Sequence, residues 1–397
     1  RIARKTPAAG HSLTRIVLEK IPFFVLSATA SAVAIHFAPA ASFEPVPVFS
    51  RLGGVVLNYA TYIVKTVWPA DIAVLYPLST SGPDTASVIG ALLLLLIISA
   101  GVAFWGGKRP YLAVGWLWYL GTLVPVSGLL QSHYQAMADR FTYVPLVGLF
   151  IMLAWGLPDL LRPWRHRKTT LAIVSVAVVL ACMAASAWQV RFWKNTITLF
   201  ERALAVTSDN WFAHCVLATG LYEDGRAEEA LTHLQESLRI CPDCFEPLCG
   251  MAEVLTKEER PYEAIDYYRK ALRAGGDLAR LHINLGTQLE KVGRTDEALA
   301  HFARAAALEP DSVIPPWNLG RLLFSAGKYP EALSQFEKIL EKNPRSLEAL
   351  DSKGSILVAM GNIGEAQKAF ERALEINPDF ASAHYSLANL FARTGRL

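Results

Sequence analysis

The segment 131–142 combines side chains that could bind a charged group beside an apolar surface. Asp139 and Arg140 are adjacent charges at the start of an apolar stretch, and His133 and Tyr143 lie near them. A charge beside hydrocarbon is costly and usually has a partner or a function, and the planar guanidinium of arginine suits phosphate. Arg140 is therefore a candidate to bind a lipid-linked phosphate at a membrane surface. The alternatives are a structural Asp139–Arg140 pair, or an arginine that reaches outward to lipid headgroups.

Cys241 and Cys244 are separated by two residues, a spacing that metal sites and disulfides both use. A zinc site needs about four ligands, often supplied by two such pairs, and the sequence has no second pair. The pair is therefore structural or incidental, a disulfide if it lies in an oxidising compartment, or, least favoured, part of a metal site. We predict no metal site and identify no cofactor.

The charged residues divide the 397-residue chain into two halves of different chemistry. Residues 1–190 hold 14 Lys/Arg and 6 Asp/Glu, whereas residues 191–397 hold 24 Lys/Arg and 29 Asp/Glu. An apolar basic half followed by a polar acidic half excludes a single soluble globular domain. The acidic balance of the second half argues against a nucleic-acid partner, and five cysteines are too few for a disulfide-stapled scaffold.

The first half contains stretches long and apolar enough to cross a membrane, which takes about 20 mostly apolar residues. Five stretches qualify, namely 22–38, 88–105, 111–130, 143–161 and 169–188. A sixth stretch, 53–68, is shorter and more polar, and carries Asn58, Tyr59, Tyr62 and Lys65. We interpret this stretch as an interfacial or re-entrant helix, with a full span as the alternative.

The basic residues of the loops set the direction of these spans, because basic residues stay on the cytoplasmic side. The clusters at 1–15, 108–109 and 162–168 all fall on one side if the chain crosses five times. The loops 39–87 and 131–142, and everything after Trp188, then lie outside the cytoplasm. The sequence therefore predicts an integral, multi-pass membrane protein with an extracytoplasmic second half.

The second half repeats with a period of 34 residues. The small residues that recur at this interval include Gly286, Gly320 and Gly354. The large apolar residues that follow them include Phe302, Phe336 and Phe370. Each small residue should lie where two antiparallel helices cross closely, with the aromatic ring between them. The pattern closely resembles the tetratricopeptide repeat, with a half unit at 192–206, five full units over 211–378 and a partial sixth from 381.

The first helix of each unit lines the concave face of such a solenoid, which is the surface that holds peptides or helices. The candidate peptide-binding residues on this face are Asn284, Trp317, Asn318 and Arg321. Asn284 and Asn318 occupy the same position one repeat apart, as a ladder that bonds a peptide backbone would require. The alternative is that asparagine is simply common at this position. We predict a protein or peptide partner on this face.

The segments 118–128 (WYLGTLVPVSG) and 138–148 (ADRFTYVPLVG) flank and include the polar loop, and 58–77 (NYATYIVKTVWPADIAVLYP) precedes them. Together they resemble the membrane portion of the transmembrane-and-tetratricopeptide-repeat family of protein O-mannosyltransferases, and the order of spans and repeats also matches. The resemblance implies a multispan glycosyltransferase fold. It further implies transfer of a sugar from a polyprenyl-phosphate donor to Ser or Thr of exported proteins.

The resemblance also assigns roles to the residues of the polar loop. The acid–arginine pair of the family maps onto Asp139 and Arg140, with Arg140 on the donor phosphate and Asp139 orienting Arg140. His133 or Gln131 would contact the phosphate or the sugar, and Tyr143 would belong to the same donor site. The repeats would present the acceptor chain.

The catalytic acids of the family should precede Arg1, and Asp71 and Asp84 form no matching motif. We therefore expect the chain to be part of a longer protein, to hold no catalytic residue and to be inactive alone. A divalent metal in the preceding part stays open. The alternative function is a non-enzymatic membrane-anchored adaptor that assembles protein complexes. The predicted fold is all-α, a polytopic transmembrane helix bundle over 1–190 followed by a tetratricopeptide-repeat α-solenoid over 191–397.

Overall fold

The computed structural model describes Thr29 and residues 48–69, 71–77, 82–127 and 135–395. This described part is helical apart from one two-stranded sheet. The chain divides into two compact units, residues 1–217 and 218–397. The domain boundary that composition places at residue 190 stays a prediction. The expected span 22–38, apart from Thr29, lies outside the described residues, as do Gln131 and His133.

The first unit contains the helices and strands that carry the apolar stretches. They are α1 (Val48–Val67), β1 (Tyr76–Pro77), α2 (Thr85–Trp105), α3 (Pro110–Leu123), β2 (Gln135–Met137), α4 (Tyr143–Leu160), α5 (Arg167–Val190) and α6 (Thr196–Val206). Short 3-10 helices occupy Val124–Val126, Asp139–Thr142 and Arg191–Trp193.

The remaining helices form the repeats. They are α7 (Trp211–Glu223), in which the boundary between the units falls, α8 (Ala227–Ile240), α9 (Phe245–Lys257), α10 (Pro261–Gly275), α11 (Ala279–Lys291), α12 (Thr295–Leu308), α13 (Ile314–Ser325), α14 (Tyr329–Lys342), α15 (Leu347–Ala359), α16 (Ile363–Ile376) and α17 (Ala381–Thr394). Among them, α9–α10, α11–α12, α13–α14 and α15–α16 are packed pairs.

Three helices of the described residues are long and apolar enough to cross a membrane. They are α2, α4 and the run Arg167–Trp193 that contains α5. Their positions coincide with the predicted spans 88–105, 143–161 and 169–188. No residue of α5 is buried within the protein, and an apolar helix with its whole surface exposed is compatible with a lipid environment.

The predicted span 111–130 is shorter in the structure. Helix α3 has 14 residues, which at 1.5 Å per residue is about 21 Å and less than the roughly 30 Å of a hydrocarbon core. The 3-10 helix Val124–Val126 follows it directly and contains Pro125. Proline has no backbone N–H and disfavours helical conformation in the preceding residue, which explains why the α-helix ends here.

Aromatic residues form the core of the first unit. Tyr59, Tyr62, Trp116 and Tyr119 are buried together, and the Trp116 and Tyr119 rings stack with centroids 5.6 Å apart. The buried hydroxyls bond the backbone of the neighbouring helix, Tyr59 donating to the Leu120 carbonyl at 2.8 Å and Tyr119 to that of Tyr59 at 2.6 Å. These bonds fix α1 against α3.

Helices α3 and α4 touch through their backbones. A Cβ atom built on Gly115 would lie 2.4 Å from the Gly148 carbonyl oxygen, and one on Gly148 would lie 2.3 Å from that of Gly115. Small residues allow such close approach at contacts between helices in membranes. This crossing sets the position of the first turn of α4, and hence of the polar loop before it.

The paired helices of the second unit pack as the repeat pattern predicts. A Cβ atom on Gly286 would lie 2.8 Å from the Phe302 ring, and one on Gly354 would lie 2.4 Å from the Phe370 ring. Phe302 and Phe370 are fully buried. The small residue therefore makes room for the aromatic ring that fills the space between the two helices of a repeat.

A residue with a positive φ angle, the left-handed backbone conformation, recurs every 34 residues at the turn between the two helices of a repeat. The φ angles are +82° at Gly225, +57° at Glu259, +76° at Gly293, +74° at Gly327 and +80° at Gly361. Glycine adopts this conformation without steric cost. Glu259 is the residue at which the described repeats depart from glycine at this turn.

Candidate functional site

Strands β1 and β2 join two loops of the first unit. They pair antiparallel, with Tyr76 opposite Met137 and Pro77 opposite Gln135. The pairing places segment 71–77, which follows α1, beside segment 135–142, which precedes α4. Residues far apart in the sequence therefore meet at this sheet.

The hydroxyl of Tyr76 is the centre of the resulting cluster. It donates a hydrogen bond to Asp139 Oδ2 at 2.9 Å, and it accepts bonds from Lys65 Nζ at 2.9 Å and from the Ala73 N–H at 2.9 Å. Lys65 Nζ also donates to the Asp71 carbonyl at 2.8 Å and lies 4.6 Å from the centroid of the Tyr76 ring. We call Lys65, Tyr76 and Asp139 the polar cluster.

A second tyrosine anchors the loop next to Asp139. The buried hydroxyl of Tyr62 donates to the Ala138 carbonyl at 3.1 Å and accepts from the Ala138 N–H at 3.2 Å. Both backbone groups of Ala138 are thus satisfied by one side chain of α1. This contact fixes the residue before Asp139, and so the direction in which the Asp139 side chain leaves the backbone.

Burial and opposing charges act against each other in the polar cluster. Burial raises the pKa of Asp139, while the hydrogen bond from Tyr76 and the charge of Lys65 lower it. Burial lowers the pKa of Lys65, while the charges of Asp139 and Asp71 raise it. Burial raises the pKa of Tyr76 above its ordinary value, so this hydroxyl stays a neutral donor at physiological pH.

The residues predicted for the donor site have different positions. Asp139 lies in the polar cluster, where its carboxylate accepts a bond from Tyr76. Arg140 lies in the 3-10 helix Asp139–Thr142, and its side chain is outside the description. Tyr143 begins α4 and is 78% exposed. The roles proposed for Gln131 and His133 stay predictions, because neither residue is described.

Three members of this arrangement were missed as site residues by sequence reasoning. In the sequence, Lys65 indicates only that its helix is interfacial, Tyr76 belongs to no motif that marks a site, and Asp71 forms no motif that matches the catalytic acids. The usable signal was a lysine near the end of an otherwise apolar helix, since a charge in such a place usually has a partner. Its partners, however, come from loops whose pairing the sequence does not reveal.

The candidate residues on the repeats make contacts within the second unit. Arg321 forms a bidentate salt bridge with Glu290, with N–O distances of 2.7 and 2.6 Å. Trp317 is partly buried and packs edge-to-face on Phe336, with centroids 5.3 Å apart. Asn284 lies close enough to the Tyr268 side chain to lower the pKa of its hydroxyl, and Asn318 is half-buried. Peptide binding by these four residues stays a prediction.

Cys241 and Cys244 form a disulfide between the end of α8 and the start of α9. Of the alternatives that the spacing left open, the disulfide is therefore the one the structure contains. Within the described residues, no group of three or more His, Cys, Asp or Glu side chains is placed to hold a metal ion.

Comparison with known families identifies the repeats. Tetratricopeptide-repeat models match residues 211–236, 289–353 and 354–395. Together with the paired helices and their 34-residue period, these matches establish an all-α chain that contains a tetratricopeptide-repeat solenoid. Such solenoids generally bind peptide or protein partners.

The chain is also similar to the human protein O-mannosyl-transferase TMTC1, at 25% identity over 174 residues. The match covers 43% of this chain and 18% of the length of that relative. Among solved structures, YrrB, a tetratricopeptide-repeat protein with an unusual peptide-binding site, is 27% identical with a TM-score of 0.44, over 47% of this chain and 96% of its own. MamA is 23% identical with a TM-score of 0.40, over 42% and 96%.

Proposed function

We propose that this chain is part of an integral-membrane glycosyltransferase that transfers a sugar from a polyprenyl-phosphate donor to Ser or Thr of exported proteins. The observation that carries the proposal is the polar cluster, a half-buried lysine and aspartate bridged by a tyrosine, at the loop that carries Arg140. Charge held in this way beside apolar helices usually serves a function. The similarity to a human O-mannosyl-transferase supports the choice of reaction.

The donor phosphate would meet positive charge from two sources. Lys65 is held at the polar cluster by neutral oxygens of Tyr76 and Asp71, and Arg140 follows Asp139 directly in the chain. Guanidinium and ammonium groups are the usual protein partners of phosphate. Asp139, which accepts a hydrogen bond from Tyr76, would help to orient Lys65 and would offset its positive charge before the donor binds. Gln131, His133 and Tyr143 remain candidates for contacts to phosphate or sugar.

The repeats would bind the acceptor chain or a partner protein along their concave face. This role requires them to lie outside the cytoplasm, as the loop charges predict. The disulfide between Cys241 and Cys244 supports that placement, because disulfides persist in oxidising compartments and are rare in the cytosol.

The test is sugar transfer by the full-length protein in membranes, using a polyprenyl-phosphate sugar donor and an exported acceptor peptide. Arg140→Ala and Lys65→Met should each lower the transfer rate by roughly 100-fold, the usual effect of removing a charge-stabilising donor from a site. Arg372→Met is the matched control, because Arg372 pairs with Glu375 on an exposed helix surface of the second unit. Unchanged transfer by Arg140→Ala would remove Arg140 from the donor site.

A membrane-anchored adaptor is the second candidate, because the family models match the repeats. An adaptor needs no chemistry at the polar cluster. It is favoured if the full-length protein shows no transfer with any polyprenyl-phosphate sugar, while an alteration such as Arg321→Ala on the concave face abolishes capture of a defined protein partner.

A further inference from the structure

Arg202 of α6 occupies an unusual environment in the first unit. Its guanidinium carbon lies 5.2 Å from the ring centroids of both Trp188 and Phe192, which pack edge-to-face with centroids 4.9 Å apart. The side chain is 19% exposed. Arginine above aromatic faces is a favourable contact, and it here joins the half-repeat helix to the last turn of α5 and the 3-10 helix that follows it.

The same guanidinium reaches the loop of the candidate site. Arg202 Nη2 lies 3.8 Å from Asp71 Oδ1. Arg202 Nε is buried and has no hydrogen-bond acceptor among the described residues. A buried donor without an acceptor is costly, so the arginine is held in this orientation by its other contacts, the two rings and the carboxylate.

Asp71 itself has a strained backbone. Its φ angle is +54°, a left-handed conformation that residues with a Cβ atom adopt at a cost and that is retained where surrounding contacts impose it. Its carboxylate faces Arg202, while its carbonyl accepts a hydrogen bond from Lys65 at 2.8 Å and lies 3.2 Å from the Tyr76 hydroxyl oxygen. One residue therefore links the half-repeat helix to two members of the polar cluster.

The rest of segment 71–77 packs on the half repeat as well. Ala73 is buried with Ala203 of α6 and Ala213 of α7. The carbonyl of Leu75 accepts a bond from the Asn210 side chain at 3.4 Å. The segment thus has one side on the polar cluster and the other on the start of the solenoid.

From these contacts we propose that Arg202 is a positioning residue for the polar cluster. By pairing with the Asp71 carboxylate, Arg202 holds segment 71–77 in its conformation. In that conformation the Asp71 carbonyl and the Tyr76 hydroxyl both accept hydrogen bonds from Lys65. The geometry of the candidate donor site therefore depends on the first repeat helix, outside the loops that form the site. This inference rests on the proposed function for its consequence in catalysis, but its geometric part is independent of that function.

The experiment measures how fast an amine-acylating reagent modifies Lys65 in the full-length protein in membranes, followed by peptide mass spectrometry. Arg202→Met removes the Arg202–Asp71 pair and should release segment 71–77, so that Lys65 is more accessible. The modification of Lys65 should then be about twofold to fivefold faster, the change in an equilibrium constant that the stabilisation from a partly exposed ion pair corresponds to. Arg202→Lys keeps the charge and should return the rate most of the way to that of the wild type.

Two further variants separate positioning from general loss of structure. Asp71→Asn should reproduce the effect of Arg202→Met, and the double variant should add nothing, because both remove the same contact. Arg372→Met, which removes an exposed ion pair elsewhere, should leave the Lys65 rate unchanged. If Arg202→Met fails to accumulate in the membrane, Asp71→Asn tests the same link from the loop side.

The inference is wrong if Lys65 is modified at the wild-type rate in both Arg202→Met and Asp71→Asn, or if the double variant shows additive effects. The labelling needs no sugar donor, so the two proposals can fail separately. Faster labelling without any sugar transfer in the wild type would refute the proposed function and leave the positioning role intact. If sugar transfer depends on Arg140 but the labelling rate of Lys65 does not depend on Arg202, the proposed function stands and the positioning role is refuted.

Discussion

Two histidines of the third repeat share a hydrogen bond that sets the tautomers of their neutral rings. His282 Nδ1 and His301 Nδ1 are 2.7 Å apart, and His282 Nε2 lies 2.6 Å from Asp277 Oδ1. Because the carboxylate accepts, neutral His282 carries its proton on Nε2, and its Nδ1 then accepts from the Nδ1–H of His301. Arg304 bonds the other oxygen of Asp277. The four side chains form one chain of bonds across α11, α12 and the turn before them.

This chain of bonds makes the repeat sensitive to acid. Burial lowers the pKa of His301, and electrostatic interactions with His282 and Arg269 lower it further, while the charge of Glu297 raises it. The unfolded chain therefore binds a proton at a higher pH than the folded one, and stability should fall as the pH drops below about 6.5. The hydrogen bonds from Arg304 and His282 lower the pKa of Asp277. The stability of the folded chain should therefore fall a second time as the pH drops below about 3.8, the ordinary pKa of an aspartate.

The measurement is the urea midpoint of the purified chain in detergent, followed by circular dichroism between pH 7.5 and 5.5. The wild-type midpoint should fall over this interval, and that of His301→Gln should fall less, because glutamine does not titrate. Equal slopes for the two proteins would exclude His301 as the cause.

Individual site residues were predictable only where their own neighbours in sequence carry the signal. Asp139 stood out because it lies next to Arg140 and an apolar stretch. Its hydrogen-bond partner Tyr76 is 63 residues away, and Lys65 is farther still. Their meeting depends on a strand pair of two and three residues, too short to leave a periodic pattern in the sequence.

Among the structural elements, the turn between the two helices of a repeat offers a test of backbone strain. Gly293, Gly327 and Gly361 occupy a left-handed conformation that Glu259 must adopt at the equivalent position. A Cβ atom on these glycines would meet no other atom within 4 Å. The cost at Glu259 therefore comes from the backbone angle alone.

We expect Glu259→Gly to stabilise the protein by about 0.5 to 1 kcal/mol, since relief of the left-handed strain outweighs the extra flexibility of glycine in the unfolded chain. Gly293→Ala, at the equivalent turn, should destabilise it by about 1 kcal/mol. Urea unfolding of both variants measures the difference. A destabilised Glu259→Gly would mean that the glutamate makes a compensating contact.

The repeats could be predicted almost completely because each helix repeats the same spacing. Gly354 and Phe370 meet as the pattern requires, and the same contact recurs in register along the solenoid. The apolar stretches were less informative, because hydropathy measures composition and not helix length. Helix α3 ends at Leu123, although apolar residues continue past it, since Pro125 interrupts the backbone hydrogen bonds.

For the molecule as a whole, the predicted extracytoplasmic position of the repeats can be tested by counting the cysteines that are oxidised in cells. The chain has five cysteines, of which Cys241 and Cys244 form the disulfide and Cys182, Cys215 and Cys249 lie outside it. Extracytoplasmic repeats should keep that bond in living cells.

Cells that express the chain are dissolved in denaturant with a maleimide-polyethylene glycol reagent. We expect three adducts without reductant and five after reduction, matching the three cysteines outside the disulfide and the total of five. Cys241→Ser should give four adducts in both cases. Five adducts without reductant would place the repeats in the cytoplasm and would contradict the predicted topology.

The stacking of Trp188 on the half repeat has a consequence for how the length of the chain changes over evolution. Helix α5 runs without a break from Arg167 to Val190, and Trp188, near its end, contacts Arg202. Arg202 follows Trp188 in the chain and also contacts Asp71, which precedes α5. Each residue gained or lost within the helix would turn both Trp188 and Arg202 by about 100° and shift them by about 1.5 Å relative to Asp71. The length of α5 therefore determines whether Arg202 reaches Asp71. An insertion of seven residues, about two turns, would restore the direction of these side chains but add about 10.5 Å of length. We therefore expect related chains to keep the length of this helix and to carry insertions in the loops.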